Sequence, residues 1–546
     1  MSTTPNPAES APPNASSVMA QYLAASGTTK IFGYPGTPNI ELMESARKLG
    51  LDMVLARQES AAAFMAEGYA MSTGLPGVCL STLGPGSSNM VGGVAAATLD
   101  RVPMIAISGQ ISTPREPYFT HQVIDHNRLF SPITKWAGRV DPASVATIMR
   151  KALRTAMAER PGAVHLTTNA DVARAEASDT EVILPPLSSA GTGLQVFRVD
   201  PGTDPLGQVR RARKPLILAG IAAVRAEATK ELVALSEHLE APVVVSPMAK
   251  GVFPEDHDHF AGVLDMACNQ VVWELLAEAD LIVAAGFDAV ELIKPWQVDT
   301  PVLHIDALPN TDQIYLAPVE LIGHIATTLA WVREETDGGS AWGAQAIEDH
   351  RVNLRESYLD GRVDGRLNPT DIVDALRAAF PRETIVTTDV GSHKLLVGQG
   401  WTTYEPRTSL MSNGLSSMGF SLPGAIGAKL AHPDRPVLCT VGDGGFAMVP
   451  GELQLASSLG LDLTVVVFVD RSLNRIELKQ QALGYPSTAT TLDASDLVAM
   501  STAMGGVGAR VDDLEGLEKV LAEPRPDDQP MLIEAHIDPA QYQSQF

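Results

Sequence analysis

What most limits how this chain can fold is a recurrence along its length. Short runs of β-branched and apolar residues alternate with stretches rich in Ala, Leu and Glu at helical spacing. Parallel strands need a long crossover between them, and a helix supplies it, so this rhythm specifies an α/β protein with doubly wound parallel sheets. In the first third the predicted strands are Ile31–Tyr34, Met53–Arg57, Val78–Thr82, Met104–Ser108 and Val164–Thr168. A second series is Pro215–Gly220, Pro242–Ser246, Leu281–Gly286 and Val302–Asp306; a third is Thr384–Thr388, Val437–Val441, Leu463–Val469 and Met531–Ile537. The first and third series share a similar strand-and-helix rhythm, and no short-period repeat is present.

Two polar stretches punctuate these series. From about Glu176 to Pro205 the density of Pro, Gly and Ser reads as a surface linker, and a second break runs from Arg333 through a charged helical segment to near Arg366. A chain of 546 residues exceeds what one core can organise. The expected layout is three doubly wound units at 15–178, 190–335 and 366–540, preceded by a disordered tail over 1–14 that is rich in Pro, Ser, Asn and Thr. That tail lacks the basic start and apolar core of a targeting peptide, and no apolar stretch is long enough to span a bilayer.

Charge narrows the partners. With 40 Lys and Arg against 64 Asp and Glu the net charge is −24, which opposes binding to nucleic acid or an anionic membrane. An anionic ligand must then be held by backbone N–H groups, helix N-termini or a bound cation. The three cysteines, Cys79, Cys268 and Cys439, sit far apart in apolar runs, as small buried hydrophobes do in a reducing cytoplasm.

Three segments carry chemistry. In TVGDGGF a strand ends at Val441 and delivers Gly442, Asp443, Gly444 and Gly445 to a helix start. Glycines admit phosphate oxygens close to the backbone, and Asp443 offers a hard oxygen. A second strand ends at Asp470, and 470 − 443 = 27 residues is room for one helix and a return to the neighbouring strand. Gly-Asp-Gly alone reads as a tight turn and Asp470 alone as a helix cap; the spacing and both strand contexts together favour two carboxylates at one sheet edge, suited to Mg²⁺ and a diphosphate. In TTDVGSHK, Gly391, Ser392 and His393 again follow a strand, where His393 by itself is an ordinary helix-start histidine. Glu59 opens the helical segment ESAAAFMAEGYAMSTG beside apolar residues, where a capping role competes with an acid–base one.

Together these stretches resemble the thiamine-diphosphate enzymes, and FGYPGTPN, the run from Ser81 to Gln110, FSPITK from Phe130 and SNGLSSMGFSLPGAIGAK from Ser412 resemble the acetolactate synthase-like branch over almost the whole chain. One departure is Val469-Asp470, where many members have Asn-Asn; it is similar to the Asn-Asp pair of the catabolic enzymes. The resemblance implies pyrimidine-binding, central and diphosphate-binding units in that order. It assigns Mg²⁺ to Asp443, Asp470 and the carbonyl of Ser472, and the diphosphate to Gly391, Ser392, His393, Gly442, Gly444 and Gly445. Met418 becomes the wedge beneath the bent coenzyme and Glu59 the group that activates its pyrimidine. Gln110 and Gln122, with His121 nearby, would approach the reacting carbon.

The implied activity is decarboxylation of a pyruvate-like 2-oxo acid followed by joining to a carbonyl acceptor. The alternatives are a non-ligating decarboxylase and a non-catalytic coenzyme-binding regulator. A nicotinamide dehydrogenase is disfavoured, because no G-x-G-x-x-G follows a first strand. Arg475, Ile476 and Lys479 mark a specificity region; where anabolic relatives have Met and Trp this chain has cations at 475 and 479, which either read a second carboxylate on the substrate or point to solvent. Anabolic relatives carry a redox-silent FAD in the central unit, whereas GFDAVE in this chain is closer to the flavin-free pattern, so FAD is expected to be absent. Members of the family build each site between subunits, which implies a homodimer or homotetramer.

Overall fold

The computed structural model describes residues 12–186, 193–524 and 527–545. It contains three sheets. The first is built from β1 (Lys30–Tyr34), β2 (Asp52–Leu55), β3 (Gly77–Ser81), β4 (Met104–Gln110), β5 (Trp136–Arg139) and β6 (Ala163–Asn169), all parallel, in the order β2-β1-β3-β4-β6-β5. The central sheet uses β7 (Gln195–Arg198), β8 (Pro215–Ala219), β9 (Val243–Val245), β10 (Phe260–Val263), β11 (Leu281–Ala285), β12 (Val302–Asp306) and β13 (Val319–Ile322), ordered β10-β9-β8-β11-β12-β13-β7. The third has β14 (Ile385–Thr388), β15 (Ser409–Met411), β16 (Val437–Gly442), β17 (Leu463–Val469), β18 (Val507–Val511) and β19 (Met531–His536), ordered β15-β14-β16-β17-β19-β18. The first sheet belongs to one compact unit, and the second and third sheets belong to another.

Inner strands are largely apolar and fully covered because helices pack on both faces of each sheet. β3, β4, β8, β11, β12 and β17 bury every residue. Ranked along the chain, the strands of the first and third sheets follow the same order, 2-1-3-4-6-5. In each, the chain steps from its first strand to one side and then returns to the other. The carboxyl ends of the first and third strands therefore diverge and leave a crevice, which in the third sheet lies between β14 and β16.

The structure corrects the sequence reading at the borders. Five of the six outermost strands, β5, β7, β10, β15 and β18, escape the apolar-run criterion, as does β13 beside one edge. An edge strand is short and half-wetted: β7 has the pattern exposed, intermediate, exposed, exposed, and β15 is three residues long. β7 lies within the supposed linker from Glu176 to Pro205 and adds one antiparallel edge to the otherwise parallel central sheet, pairing with β13, Phe197 opposite Glu320. The end of the supposed disordered tail is held as well. The Pro13 carbonyl accepts from Ala177 N at 3.0 Å, and the Asn14 side chain caps the helix Ala15–Ala25 by accepting from Ser17 N at 2.8 Å. Residues 1–11 lie outside the described ones.

Within the second unit a buried ion pair fastens the central sheet to the third. Lys250 Nζ lies 2.8 and 2.9 Å from the two carboxylate oxygens of Glu255, with both side chains essentially inaccessible. Thr403, between β14 and β15, donates its N–H to Glu255 at 2.8 Å and accepts from the Glu255 N–H at 3.2 Å. Removing one partner strands a charge away from water. K250M is expected to lower stability by about 3–5 kcal/mol in urea unfolding, and K250M/E255Q, which keeps an acceptor for Thr403, to recover at least half of that loss. Equal midpoints for both variants would show that the stranded charge is not the cause.

Candidate functional site

β16 and β17 run side by side, Gly442 opposite Phe468, so the residues that follow them emerge at one edge. Asp443 opens a short helix, Asp443–Phe446, and Asp470 directly follows β17. Asp443 accepts from Gly444 N at 2.8 Å and from Arg471 N at 2.7 Å. Arg471 adopts φ +56°, and Asp470 accepts from Ser472 N at 3.0 Å in the same turn. Burial raises the carboxyl of Asp470 to about 7, with the negative charge of Asp443 as the next cause, and burial raises Asp443 as well. Two carboxylates that resist ionising together are a place where a divalent cation gains most. Among the described residues no three His, Cys, Asp or Glu side chains converge on a metal-sized site, so a cation here has to draw further oxygens from the main chain and from its ligand.

Glycines surround this edge where side chains have no room. A Cβ on Gly445 would stand 1.9 Å from Asp389 Oδ2, on Gly442 3.2 Å from the His393 ring, and on Gly391 2.8 Å from that ring. His393 lies parallel to Phe468 with centroids 5.4 Å apart. Burial, reinforced by the charge of Lys394, pushes its pKa down to about 3, so the ring is neutral; its Nε2 is buried and has no partner among the described residues. Ser392 donates to Asn474 Oδ1 at 2.7 Å, which ties the diphosphate-loop candidate to the helix after Asp470. Backbone approach, an orphaned ring nitrogen and paired carboxylates together fit an anionic phosphate group carried on a cation.

Asp389 was not singled out from the sequence, although it stands directly after β14 in the same TTDVGSHK run. It is fully buried and accepts from Gly419 N at 2.9 Å and Phe420 N at 3.0 Å. Burial lifts its carboxyl to about 6 against the pull of those bonds. By this anchor the segment before Gly419 is laid over the glycine loop: a Cβ on Gly444 would lie 3.4 Å from Met418 Cε. Met418 is half-buried rather than core, and Gly419 beside it takes φ +83°, a left-handed turn that favours glycine. The helix Asn474–Ala482 buries none of its residues; Arg475, Ile476 and Lys479 are exposed, and 475 and 479 share one face.

The remaining candidates lie in the other compact unit. Glu59 begins the helix Glu59–Thr73 after β2 and is buried. Asn89 Nδ2 donates to its Oε2 at 3.2 Å, and a Cβ on Gly86 would stand 2.8 Å from Oε1, so the carboxyl rests against the first turns of the helix Gly84–Leu99. Gln110 is the last residue of β4, two residues beyond the predicted strand Met104–Ser108. It is fully buried, with its amide accepting from Ile111 N at 3.0 Å and donating to the Ile124 carbonyl at 3.2 Å. Gln122 is exposed at φ +59°, and its carbonyl accepts from Gly84 N at 2.9 Å; His121 beside it is exposed.

Comparison with known proteins agrees with this arrangement. Residues 13–129 match the family model of the N-terminal TPP binding domain of thiamine pyrophosphate enzymes, 206–332 the central domain and 389–535 the C-terminal TPP binding domain. The chain is 29% identical over 537 residues to the acetolactate synthase of Bacillus subtilis, covering 95% of this chain and 92% of that protein. It is 30% identical over 543 residues to a probable acetolactate synthase large subunit of Methanocaldococcus jannaschii (95% and 91% covered) and 29% identical over 535 residues to the catabolic acetolactate synthase of Raoultella terrigena (95% and 94% covered). The chain belongs to the thiamine pyrophosphate enzymes, as an acetolactate synthase-like member of that family.

Proposed function

We propose that this enzyme is a carboligase that decarboxylates a pyruvate-like 2-oxo acid and joins the remainder to a carbonyl acceptor. The observation that carries the proposal is the pair Asp443 and Asp470 at the ends of adjacent strands, in a chain whose three segments match the thiamine pyrophosphate family. Relatives named acetolactate synthase support ligation over simple decarboxylation.

In this reading Asp443, Asp470 and the main-chain carbonyl of Ser472 hold Mg²⁺. The backbone of Gly442, Gly444, Gly445, Gly391 and Ser392, with neutral His393, surrounds the diphosphate. Thiamine diphosphate, when bound, supplies a carbanion that adds to the 2-oxo acid carbonyl and accepts the electron pair released with CO₂. Met418 supports the coenzyme from below. Glu59 holds a proton at the pyrimidine nitrogen, and Asn89 keeps its carboxyl in place. Gln122 acts at the reacting carbon, while Gln110 fastens the loop that carries it through Ile124. Arg475, Ile476 and Lys479 face the acceptor, and the two cations select one bearing a second carboxylate. Units at 15–178, 190–335 and 366–540 supply the pyrimidine, central and diphosphate parts, and subunits pair as a homodimer or homotetramer with the site between them, in the cytoplasm and without FAD. Among the described residues no helix is long and apolar enough to cross a membrane.

Three measurements test this. With thiamine diphosphate, Mg²⁺ and a panel of 2-oxo acids, E59Q is expected to release CO₂ at least about 100-fold more slowly than the native enzyme while still binding coenzyme; full turnover would remove Glu59 from the proton path. Asp470 near 7 means that below this pH a proton must leave before the cation enters, so apparent Mg²⁺ affinity should drop about tenfold per pH unit below 7 and level off above it. Equal affinity at pH 6 and pH 8 would contradict that competition. K479W should shift acceptor preference away from dicarboxylates, and an unchanged product profile would place Lys479 outside the acceptor pocket.

A further inference from the structure

The central sheet has a switch point of its own. β9 and β10 extend from β8 to one side, and β11, β12 and β13 to the other, so the carboxyl ends of β8 and β11 border the crevice in which a doubly wound fold takes a dinucleotide. Such a ligand needs its pyrophosphate against free backbone N–H groups, with glycine alongside to let it approach. In this chain those features are present and already engaged. Glu291 is fully buried at that point, with Oε1 accepting from Ile221 N at 2.9 Å and from the Ser246 hydroxyl, and Oε2 accepting from Asp288 N at 2.7 Å. A Cβ on Gly220, the residue after β8, would stand 2.5 Å from Glu291 Oε2 and 2.4 Å from both the Gly286 carbonyl and Phe287 Cα. The room that glycine makes here is taken by the chain's own carboxyl and by the 286–287 backbone.

Nor is the side chain free to swing aside. Glu291 ends the turn Ala289–Glu291, whose start is capped by Asp288. Its carbonyl accepts from Asn413 Nδ2 at 3.2 Å, and Asn413 is itself buried in the segment that leads to Met418. Burial raises the Glu291 carboxyl to about 8, so at neutral pH it is mainly the uncharged acid and can remain in place without a cation beside it. Residues and fold thus disagree about a dinucleotide: the crevice exists, and the group that would recognise phosphate is satisfied from within.

We infer that Glu291 fills the phosphate position of the central domain, closing it to FAD and other dinucleotides and turning the domain into a brace for the segment that carries Met418. The family resemblance supplies only the question, because anabolic relatives carry a flavin; the closure stands on the geometry alone and is measured without turnover.

The test uses enzyme saturated with thiamine diphosphate and Mg²⁺, so that the coenzyme pocket is closed to the probes. Wild type and E291Q are expected to show no saturable binding of FAD or ADP up to about 1 mM, by ultrafiltration and flavin absorbance. E291A uncovers the Ile221 and Asp288 N–H groups and the Ser246 hydroxyl. It is expected to respond to inorganic pyrophosphate at least tenfold more tightly than wild type in thermal-shift titration. One FAD or ADP bound per chain in wild type or E291Q overturns the inference, whether or not E291A folds; so does a folded E291A that responds to pyrophosphate no better than wild type. Failure of the carboligase assay alone would leave these results unchanged, so the two readings fail separately.

Discussion

Asp443 and Asp470 are the constraint around which the rest of the third sheet is arranged. Two carboxylates in a poorly hydrated edge repel each other and resist losing their protons, which shows in an Asp470 carboxyl lifted to about 7. The chain tolerates this by giving Asp443 two backbone donors and Asp470 one, in a turn that forces Arg471 to φ +56°. Such an arrangement has stored cost unless a cation resolves it. The surrounding glycines, the neutral ring of His393 and the anchor of Asp389 leave room at this edge for a phosphate group beside such a cation.

One topology recurs in the two segments that match TPP binding domains. The first and third sheets share one strand order, and in each the chemistry stands at carboxyl ends of strands or at the start of the helix that follows. In the first sheet the product is a buried carboxyl, Glu59, steadied by Asn89; in the third it is a metal-ready pair. The central sheet keeps a crevice of its own and seats Glu291 in it, and the Glu291 carbonyl accepts from Asn413. A fold that supplies the crevice does not by itself determine what fills it.

How much of this the sequence discloses depends on burial. Inner strands such as Leu463–Val469 are legible to the residue, because both faces are covered and all but Thr464 are apolar. Border strands are not, since β7 or β18 needs apolar residues on one side at most and reads as ordinary polar chain. The meeting of Asp443 and Asp470 at one sheet edge is legible because two strand ends and a loop length place it. Asp389, Asn89 and Glu291 are hidden for a different reason: the two carboxyls accept from backbone N–H groups, Asn89 donates to the distant Glu59 carboxyl, and no local pattern announces such bonds. Gln110 shows the opposite error, a polar residue near the right loop whose amide is spent holding backbone.

β7 draws these threads to a practical end. Four residues of what looks like a dispensable connector lie antiparallel along β13 and cover the row of amide and carbonyl groups that would otherwise face outward. Cutting, lengthening or re-tagging the chain there would uncover a sticky rim on the central sheet. Clumping of the protein, rather than a slower catalyst, is the first fault that such an edit would bring.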